Sequence, residues 1–578
     1  MEQWYTRCLA LGLAACLIGL SVGTLVGCGG SSHVNEAPVE TPPTPLAPPA
    51  LTVAVAAVKS LSLRWTAVAG ATHYRLFEDS DGDAGPQAAT LLAQVPSDVL
   101  SHAQQIFLPA RVNAAYRVQA CDERGCVDSA GAGIPDINQG IGFFKSAQPA
   151  VLDDFGEGLA LSADGQVLAV GVWLEDGTSA GTDPVFNGGP STSDIGAVYV
   201  FRRGSAGWVQ EAYLKPETVL LQANFGYRLS LSDDGNALLV GAPGEAPGPP
   251  VQRSGAAYFF ERGASGRWAQ VQRVTPQAPQ AEGQFGNSVS LSGDGQWAAV
   301  GEPGTAEGGR VSLYRRQPGA WAWQATLRGS NTESEDRFGE SLQLDRDGDT
   351  LAVGAWAEDG AGAVADYGNG QDASGAAYVF RRGAAGGWTE QSYVTPPERR
   401  QGGYFGYPVV LSADGNTLVA GESGVMRPTS TAQGRVHIFE SQGAGWSHRQ
   451  QFGSPMPEAS GDFGEKVALS ADGTTLVIAN AWEDGHAQGL GASPEFDGQQ
   501  RNEGAVYVYR RDAAGAWSAP VYVKSSNSSA EQYFGWSLAL SADGQTLAVF
   551  GSDHSGASGV GGDQSDSSVR WAGAVYLY

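Results

Sequence analysis

One unit occurs seven times in this 578-residue chain and limits what the chain can fold into. Its last copy runs from Tyr533 to Gly551. It holds a Phe-Gly pair, then two short stretches in which Leu538 and Leu540, and later Leu547 and Val549, alternate with smaller residues. Asp543-Gly544 lies between the stretches. Period-two alternation marks a half-buried strand, and Gly after Asp supplies the positive φ of a tight hairpin. The Phe-Gly pairs stand at Phe155, Phe225, Phe285, Phe338, Phe405, Phe463 and Phe534, and the turns at Asp164, Asp234, Asp294, Asp347, Asp414, Asp472 and Asp543. Successive Phe residues are 70, 60, 53, 67, 58 and 71 apart, the spacing of a repeat architecture.

Each copy continues into a third strand, as in Gly196-Ala-Val-Tyr-Val-Phe201 and Gly504-Ala-Val-Tyr-Val-Tyr509. A fourth strand starts at Trp208, Trp268, Trp321, Trp388, Trp446 and Trp517. Four antiparallel strands in each of seven units predict an all-β fold, a seven-bladed β-propeller over residues 136–578. There are seven third strands but only six Trp-started fourth strands, so Gly573–Tyr578 lacks a partner. Lys145, in Gly142-Phe-Phe-Lys-Ser146, lies ten residues before Phe155, as Lys215 lies ten before Phe225. Residues 142–147 are therefore expected to pair with 573–578, because an open ring leaves two unpaired sheet edges.

Glycine, 81 residues, fits a turn-dense β protein. The formal charge of −26 argues against nucleic acid or an anionic membrane as a direct partner. Residues 1–27 read as a signal peptide, with Arg7 ahead of an apolar run from Leu9 to Val26 that is short for a stable span. The run ends Leu25-Val26-Gly27-Cys28, which resembles a bacterial lipobox. That resemblance implies cleavage before Cys28, a diacylglyceryl group on its thiol and, with Gly29 following, an outer-membrane lipid anchor. The protein would then face the periplasm or the cell surface, touching the membrane only through its lipid. Residues 28–50 form a proline-rich linker with extended character. Cys8 and Cys16 fall in the removed segment, so Cys121 and Cys126 remain and are expected to form one small-loop disulfide.

Residues 51–135 alternate in Leu61-Ser-Leu-Arg-Trp65, His73-Tyr-Arg-Leu-Phe77 and Ala115-Tyr-Arg-Val118, a small β-sandwich. The order of these strands resembles a fibronectin type III domain, which implies a spacer or binding module. The repeats, with Phe-Gly, a hairpin and Val240-Gly-Ala-Pro243, Val300-Gly-Glu-Pro303 or Val353-Gly-Ala-Trp356, resemble the FG-GAP repeat of integrin α-chain propellers. That family often holds Ca²⁺ in its first hairpin through converging carboxylates. Most hairpins here carry one useful acid before the Gly and read as structural turns. Asp345, Asp347 and Asp349 alternate and are the weak candidates for Ca²⁺, the one cofactor considered.

The loops between second and third strands are long in the first, fourth, sixth and seventh copies. Three of them open on Trp173-Leu-Glu175-Asp176-Gly, Trp356-Ala-Glu358-Asp359-Gly and Trp482-Glu483-Asp484-Gly. With Asp563 in the seventh loop, and aromatics Phe186, Tyr367, Phe496 and Trp571, they are the candidates for a binding face. No catalytic residue stands out: His-Glu-x-x-His and phosphate-binding glycine loops are missing from the sequence. The expectation is a non-catalytic, cell-envelope binding or adhesion module for an unidentified protein or glycan. The alternatives are a polysaccharide-acting lyase or hydrolase on a propeller scaffold, and a structural or assembly lipoprotein.

Overall fold

The computed structural model describes residues 44–82, 89–188, 193–246, 248, 252–359, 373–424, 434–443, 445–456, 462–492, 494, 499 and 501–578. The signal peptide, Cys28, most of the linker, Tyr367 and Phe496 lie outside the described residues. Every strand of the described residues lies within the compact unit of residues 46–578.

The described residues form β-structure with two short 3₁₀ turns. They include seven four-stranded antiparallel sheets. Sheet one consists of Gly158–Leu161, Val167–Val172, Ala197–Gly204 and Gly207–Leu214, in that spatial order. The next five sheets repeat this order. In sheet seven, Leu538–Leu540, Leu547–Gly551 and Ala574–Leu577 are completed by Gly142–Phe144. Val575 faces Phe144, Tyr576 faces Phe143 and Leu577 faces Gly142. The innermost strands touch their neighbours in sequence, and that of sheet one also touches that of sheet seven, so the sheets close a ring.

The recurrent residues make the joints between sheets. Each Phe of a Phe-Gly pair is fully buried. Phe225, Phe285, Phe338, Phe405 and Phe534 donate their N–H to the carbonyl just before the third strand of the preceding sheet, at 2.8–3.0 Å. Their rings pack instead on their own sheet: Phe225 lies edge-on to Tyr258, and Phe338 to Tyr378, both at 5.3 Å. One residue thus ties two sheets together. The Gly that follows allows close approach. Gly226 has φ +96°, and a Cβ there would stand 2.5 Å from the carbonyl oxygen of Ala197. No other residue fits without moving backbone.

At the opposite end of the axis, the hairpin turns hold one another. Ala163 N–H donates to Asp233, Asp233 to Gly293, Asp294 to Arg346, Arg346 to Ala413, Ala413 to Ala471, Ala471 to Ala542, and Asp543 back to Ala163, at 2.8–3.2 Å. Within six turns the Ser two before the Asp is the staple. Ser162 Oγ donates to Asp164 Oδ1 at 2.7 Å and accepts from Val167 N at 2.9 Å. The pattern recurs at Ser232, Ser292, Ser412, Ser470 and Ser541.

The N-terminal segment forms two sheets around one core. Leu51–Ala57, Ser60–Trp65 and Ser101–Gln105 make the first, while His73–Asp79, Thr90–Pro96, Ala115–Asp122 and Gly125–Asp128 belong to the second. Cys121 and Cys126 are disulfide-bonded. This segment is not held off from the ring. Its core, including Trp65 and Tyr116, is continuous with Val477, Leu547 and Tyr576 of sheets six and seven. Lys59 sends its ammonium to Gln545 O and Thr546 Oγ1, and burial pushes its pKa down to about 7 although Asp543 opposes the shift. Asn138 Oδ1 accepts from Leu490 N at 2.8 Å.

Phe143 is buried against Tyr576, with ring centroids 5.5 Å apart, on the strand that seals the ring. Phe143→Ala is expected to destabilise the protein by about 3–5 kcal/mol. Removing residues 573–578 should abolish the cooperative thermal transition. Calorimetry of both variants checks this, and an unchanged melting profile would rule out the seam as a stability determinant.

Candidate functional site

The acids of the three long loops point inward. Glu175, Glu358 and Glu483 are 2%, 1% and 0% exposed. Glu175 accepts from Gly177 N at 2.9 Å and Tyr213 OH at 2.8 Å, and pairs with Lys215. Glu483 accepts from Tyr522 OH at 3.0 Å and Lys524 Nζ at 3.2 Å. Glu358 accepts from Tyr378 OH at 2.6 Å and Asn331 Nδ2 at 2.5 Å. The neighbouring aspartates close their loops. Asp176 Oδ1 accepts from Ser193 N and Asp194 N, Asp359 Oδ1 from Ala373 N, and Asp484 Oδ1 from Arg501 N and Asn502 N. A carboxylate at the start of each loop therefore fixes the residues at its end. The reading of these acids as ligand contacts is corrected for Glu175, Glu358, Glu483 and Asp484, which are buried and engaged with phenols, an amide, ammonium groups or backbone, while half-buried Asp176 and Asp359 each use one oxygen to close a loop. Asp563 is on the surface, where it caps Ser565 N at 2.9 Å. Phe186 packs against the core, and Trp571 is covered by the Arg570 guanidinium at 3.9 Å.

The same corner carries a buried acid in every sheet. Glu245 pairs with Arg273, Glu302 with Arg310 at 2.5 Å, Glu422 with Arg400 at 2.6 Å and with His437 at 2.9 Å, and Asp553 with Lys145 at 3.3 Å. Burial pushes the ammonium groups of Lys145, Lys215 and Lys524 down, and their acids hold them up. The sequence signal for these cations is Lys145, Lys215 and Lys524 each standing ten residues before a Phe-Gly pair.

Asp345, Asp347 and Asp349 do not converge on a cation position. Asp345 replaces the stapling Ser and is buried, accepting from Asp349 N at 2.8 Å and Thr350 N at 3.1 Å. Asp349 pairs with Arg382. Among the described residues no group of three or more His, Cys, Asp or Glu is placed to hold a metal ion.

The open chemistry is on the axis. A channel of about 760 Å³ runs between the inner strands. Glu157, Arg228 and Lys466 line its mouth, at the Phe-Gly end, and the other residues that follow each Phe-Gly, Tyr227, Asn287, Glu340, Tyr407, Glu465 and Trp536, stand at the same end of their sheets. All but the buried Asn287 are half-buried. Glu157 is held by two indoles, Trp173 Nε1 and Trp536 Nε1, the latter at 3.4 Å. Asn287 Nδ2 donates to Glu340 Oε1 at 2.9 Å. Lys466 Nζ lies 3.4 Å from Tyr407 OH and 4.8 Å from the centre of its ring. The Arg228 guanidinium lies 4.4 Å over the Tyr227 ring and donates to Tyr227 O at 2.9 Å. Burial opposes the charge on Lys466, but Tyr407 and Glu465 outweigh it and raise its pKa. The long-loop tryptophans back this mouth: Trp173 reaches Glu157, and Trp482 packs on Trp536 at 6.0 Å. Trp173 also packs on Tyr227, and Trp356 on Tyr404. The expected face is thus chemically equipped, by residues other than the loop acids.

The FG-GAP repeat family model matches residues 268–314 and 321–380, so the chain carries FG-GAP repeats. Each match starts at the fourth-strand Trp of one sheet and ends in the third strand of the next, so the sequence repeat straddles two sheets. No curated protein matches the chain. Solved structures similar to it include the periplasmic gluconolactonase of Pseudomonas aeruginosa, with 19% identity over 66% of this chain and 95% of that one and a TM-score of 0.39. A putative 6-phosphogluconolactonase from Bacteroides uniformis has 11% identity over 78% and 97%, with a TM-score of 0.40. Hydrazine synthase of Kuenenia stuttgartiensis has 14% identity over 56% and 72%, with a TM-score of 0.35. None of their activities is carried over to this chain.

Two measurements test the buried acids. Lys524→Met strands Glu483 in the interior and is expected to cost about 3–5 kcal/mol, while Lys524→Met with Glu483→Leu should recover most of it. Chemical denaturation of both variants checks the difference. Burial, with Glu465 nearby, pushes Asp462 from 3.8 up to about 8, against the pull of Lys466. Between about pH 4 and pH 8 the folded state therefore holds a proton that the unfolded state has lost, and this group makes stability fall as pH rises. Asp462→Asn is expected to flatten the melting-temperature profile across that window.

Proposed function

We propose that the chain is a non-catalytic binding module of the bacterial cell envelope, tethered through Cys28, with a glycan or protein ligand seated at the axial mouth. The observation that carries this reading is the mouth itself. Glu157, Arg228 and Lys466 offer hydrogen-bonding groups on the wall of a channel of about 760 Å³, and the aromatic rings of Tyr227, Tyr407 and Trp536 stand beside them in contact with Arg228, Lys466 and Glu157. Ligand sites commonly combine such a cavity with a few convergent polar groups. The ring of sheets supplies a rigid frame, and the interlocked loop acids keep the rim in place. The lipobox-like Leu25-Val26-Gly27-Cys28 and the proline-rich linker support envelope tethering.

A second reading is favoured by one contact. The Lys466 ammonium, 3.4 Å from Tyr407 OH, would stabilise that phenol in its ionised form, a base that could take the proton beside a carboxylate while the glycosidic bond to the leaving oxygen breaks, which is lyase chemistry on an acidic polysaccharide.

Purified protein on a glycan array is expected to retain a ligand, and Trp536→Ala is expected to lose it at unchanged melting temperature. Accumulation of an unsaturated sugar product with any acidic polysaccharide would replace the binding reading with the lyase one. In cells, Cys28→Ser should release the protein from the membrane fraction; retention there would remove the lipid anchor from the proposal.

A further inference from the structure

Arg228 and Lys466 are the cations at the Phe-Gly end of the channel, and like Arg203, Arg337, Arg381 and Arg510 they have no carboxylate partner from another strand among the described residues. The ring's other buried or half-buried cations largely meet a carboxylate across a sheet or between sheets, as Lys215, Arg273, Arg310 and Lys524 do. Arg228 makes no ion pair among the described residues, and donates to the carbonyl of its own neighbour Tyr227. Lys466 has only the adjacent Glu465, at 3.6 Å, and the Tyr407 hydroxyl. Both come from inner strands of the ring, in sheets two and six, and both line the channel. The acids at the mouth are already engaged: Glu157 by two indoles, Glu340 by Asn287 and Glu465 by Lys466. The Arg228 guanidinium is near Glu157 and Glu340 but makes no ion pair with either, which leaves its fork open to a carboxylate from a ligand in the channel.

Arg228 lies over the Tyr227 ring and Lys466 over the Tyr407 ring, and Trp536 stands beside Lys466 and Glu157. Tyr227, Tyr407 and Trp536 follow Phe-Gly in sheets two, five and seven, so they surround the axis rather than sharing one wall. The remaining lone pairs of Glu157 and Glu340 accept hydrogen bonds and repel a second negative charge. These features describe a ligand with a single carboxylate, several hydroxyl donors and a ring with an apolar face.

We infer that the axial mouth is a binding site for a sugar acid, a uronate residue alone or within a glycan, whose carboxylate is taken by Arg228 and Lys466 and whose ring stacks on Trp536. This rests on the proposed binding function and names its ligand class. Arg228 and Lys466 remain cationic through the neutral range, as raised pKa values require.

The test is calorimetric titration of the lipid-free chain with galacturonate and glucuronate oligosaccharides, the matching neutral galactose and glucose oligosaccharides, and inorganic phosphate. Uronates are expected to bind, neutral oligosaccharides about ten-fold or more weaker, and phosphate weaker still because it cannot stack. Arg228→Met and Lys466→Met should each weaken uronate binding about ten-fold or more at unchanged melting temperature, while Arg228→Lys should retain part of it. Added salt should weaken uronate binding and leave any residual neutral-sugar binding in place. Equal binding of neutral and acidic sugars, indifference to Arg228→Met and Lys466→Met in folded protein, or phosphate binding as tight as uronate would each overturn the inference. If uronates fail to bind but the array yields another ligand lost in Trp536→Ala, the sugar-acid inference falls and the binding function stands. If no ligand depends on Trp536, both fall.

Discussion

Everything in the ring depends on the way one residue is shared between two sheets. The N–H of a Phe such as Phe225 or Phe338 belongs to the hydrogen-bond pattern of the sheet before it, while its ring is packed in the sheet it begins. A four-stranded antiparallel sheet has two apolar faces and cannot bury both alone. The Phe supplies the joint, and the Gly beside it removes the side chain that would hold the backbones apart. At the far end of the axis, turn-to-turn hydrogen bonds do the same work without side chains, so the circle is pinned at both rims.

A second constraint comes from loop length. Long insertions at the rim leave polar backbone needing partners, and the structure answers with buried or loop-closing acids. Asp176 and Asp484 hold residues that return 17 and 18 positions later, and Glu175 and Glu483 fix the corner to the fourth strand through Tyr and Lys. The insertions can therefore vary in sequence while their roots stay fixed. The described roots of the insertions are thereby tied to the sheets.

The repeating part of the fold was largely legible because its signals are local. Asp543-Gly544 and the alternation on either side of it lie within about twenty residues. The surplus third strand pointed to residues before Phe155, and Gly142–Phe144 lies on Ala574–Leu577 in the structure. What the sequence hid was direction. Glu175 and Asp176 are adjacent acids, and nothing in their order says that the first is buried and the second closes its own loop. Register was hidden as well. Val170 faces Tyr199 and Ile478 faces Tyr507, so Glu483 matches Glu175, and Trp482 stands where Leu174 does rather than where Trp173 does. The axial mouth was not legible because each repeat contributes one or two residues to it, some sixty positions apart. A signal was present all the same. The position after Phe-Gly reads Glu, Tyr, Asn, Glu, Tyr, Glu, Trp around the ring, while the Phe-Gly before it and the Leu or Val two positions after it keep their type.

The seam has a mechanical consequence. The strand 142–144 that closes the circle is also the chain's exit toward the N-terminal sheets, so tension entering from that side points at the least repetitive joint in the ring. It does not arrive there directly. The Lys59 ammonium on sheet seven, the Asn138 contact to Leu490 and the core shared by Trp65, Tyr116 and Tyr576 lie ahead of it along the chain. The small sheets thus act as a strain relief, like the collar on a cable: a pull is spread over a broad apolar contact before it can shear three backbone pairs.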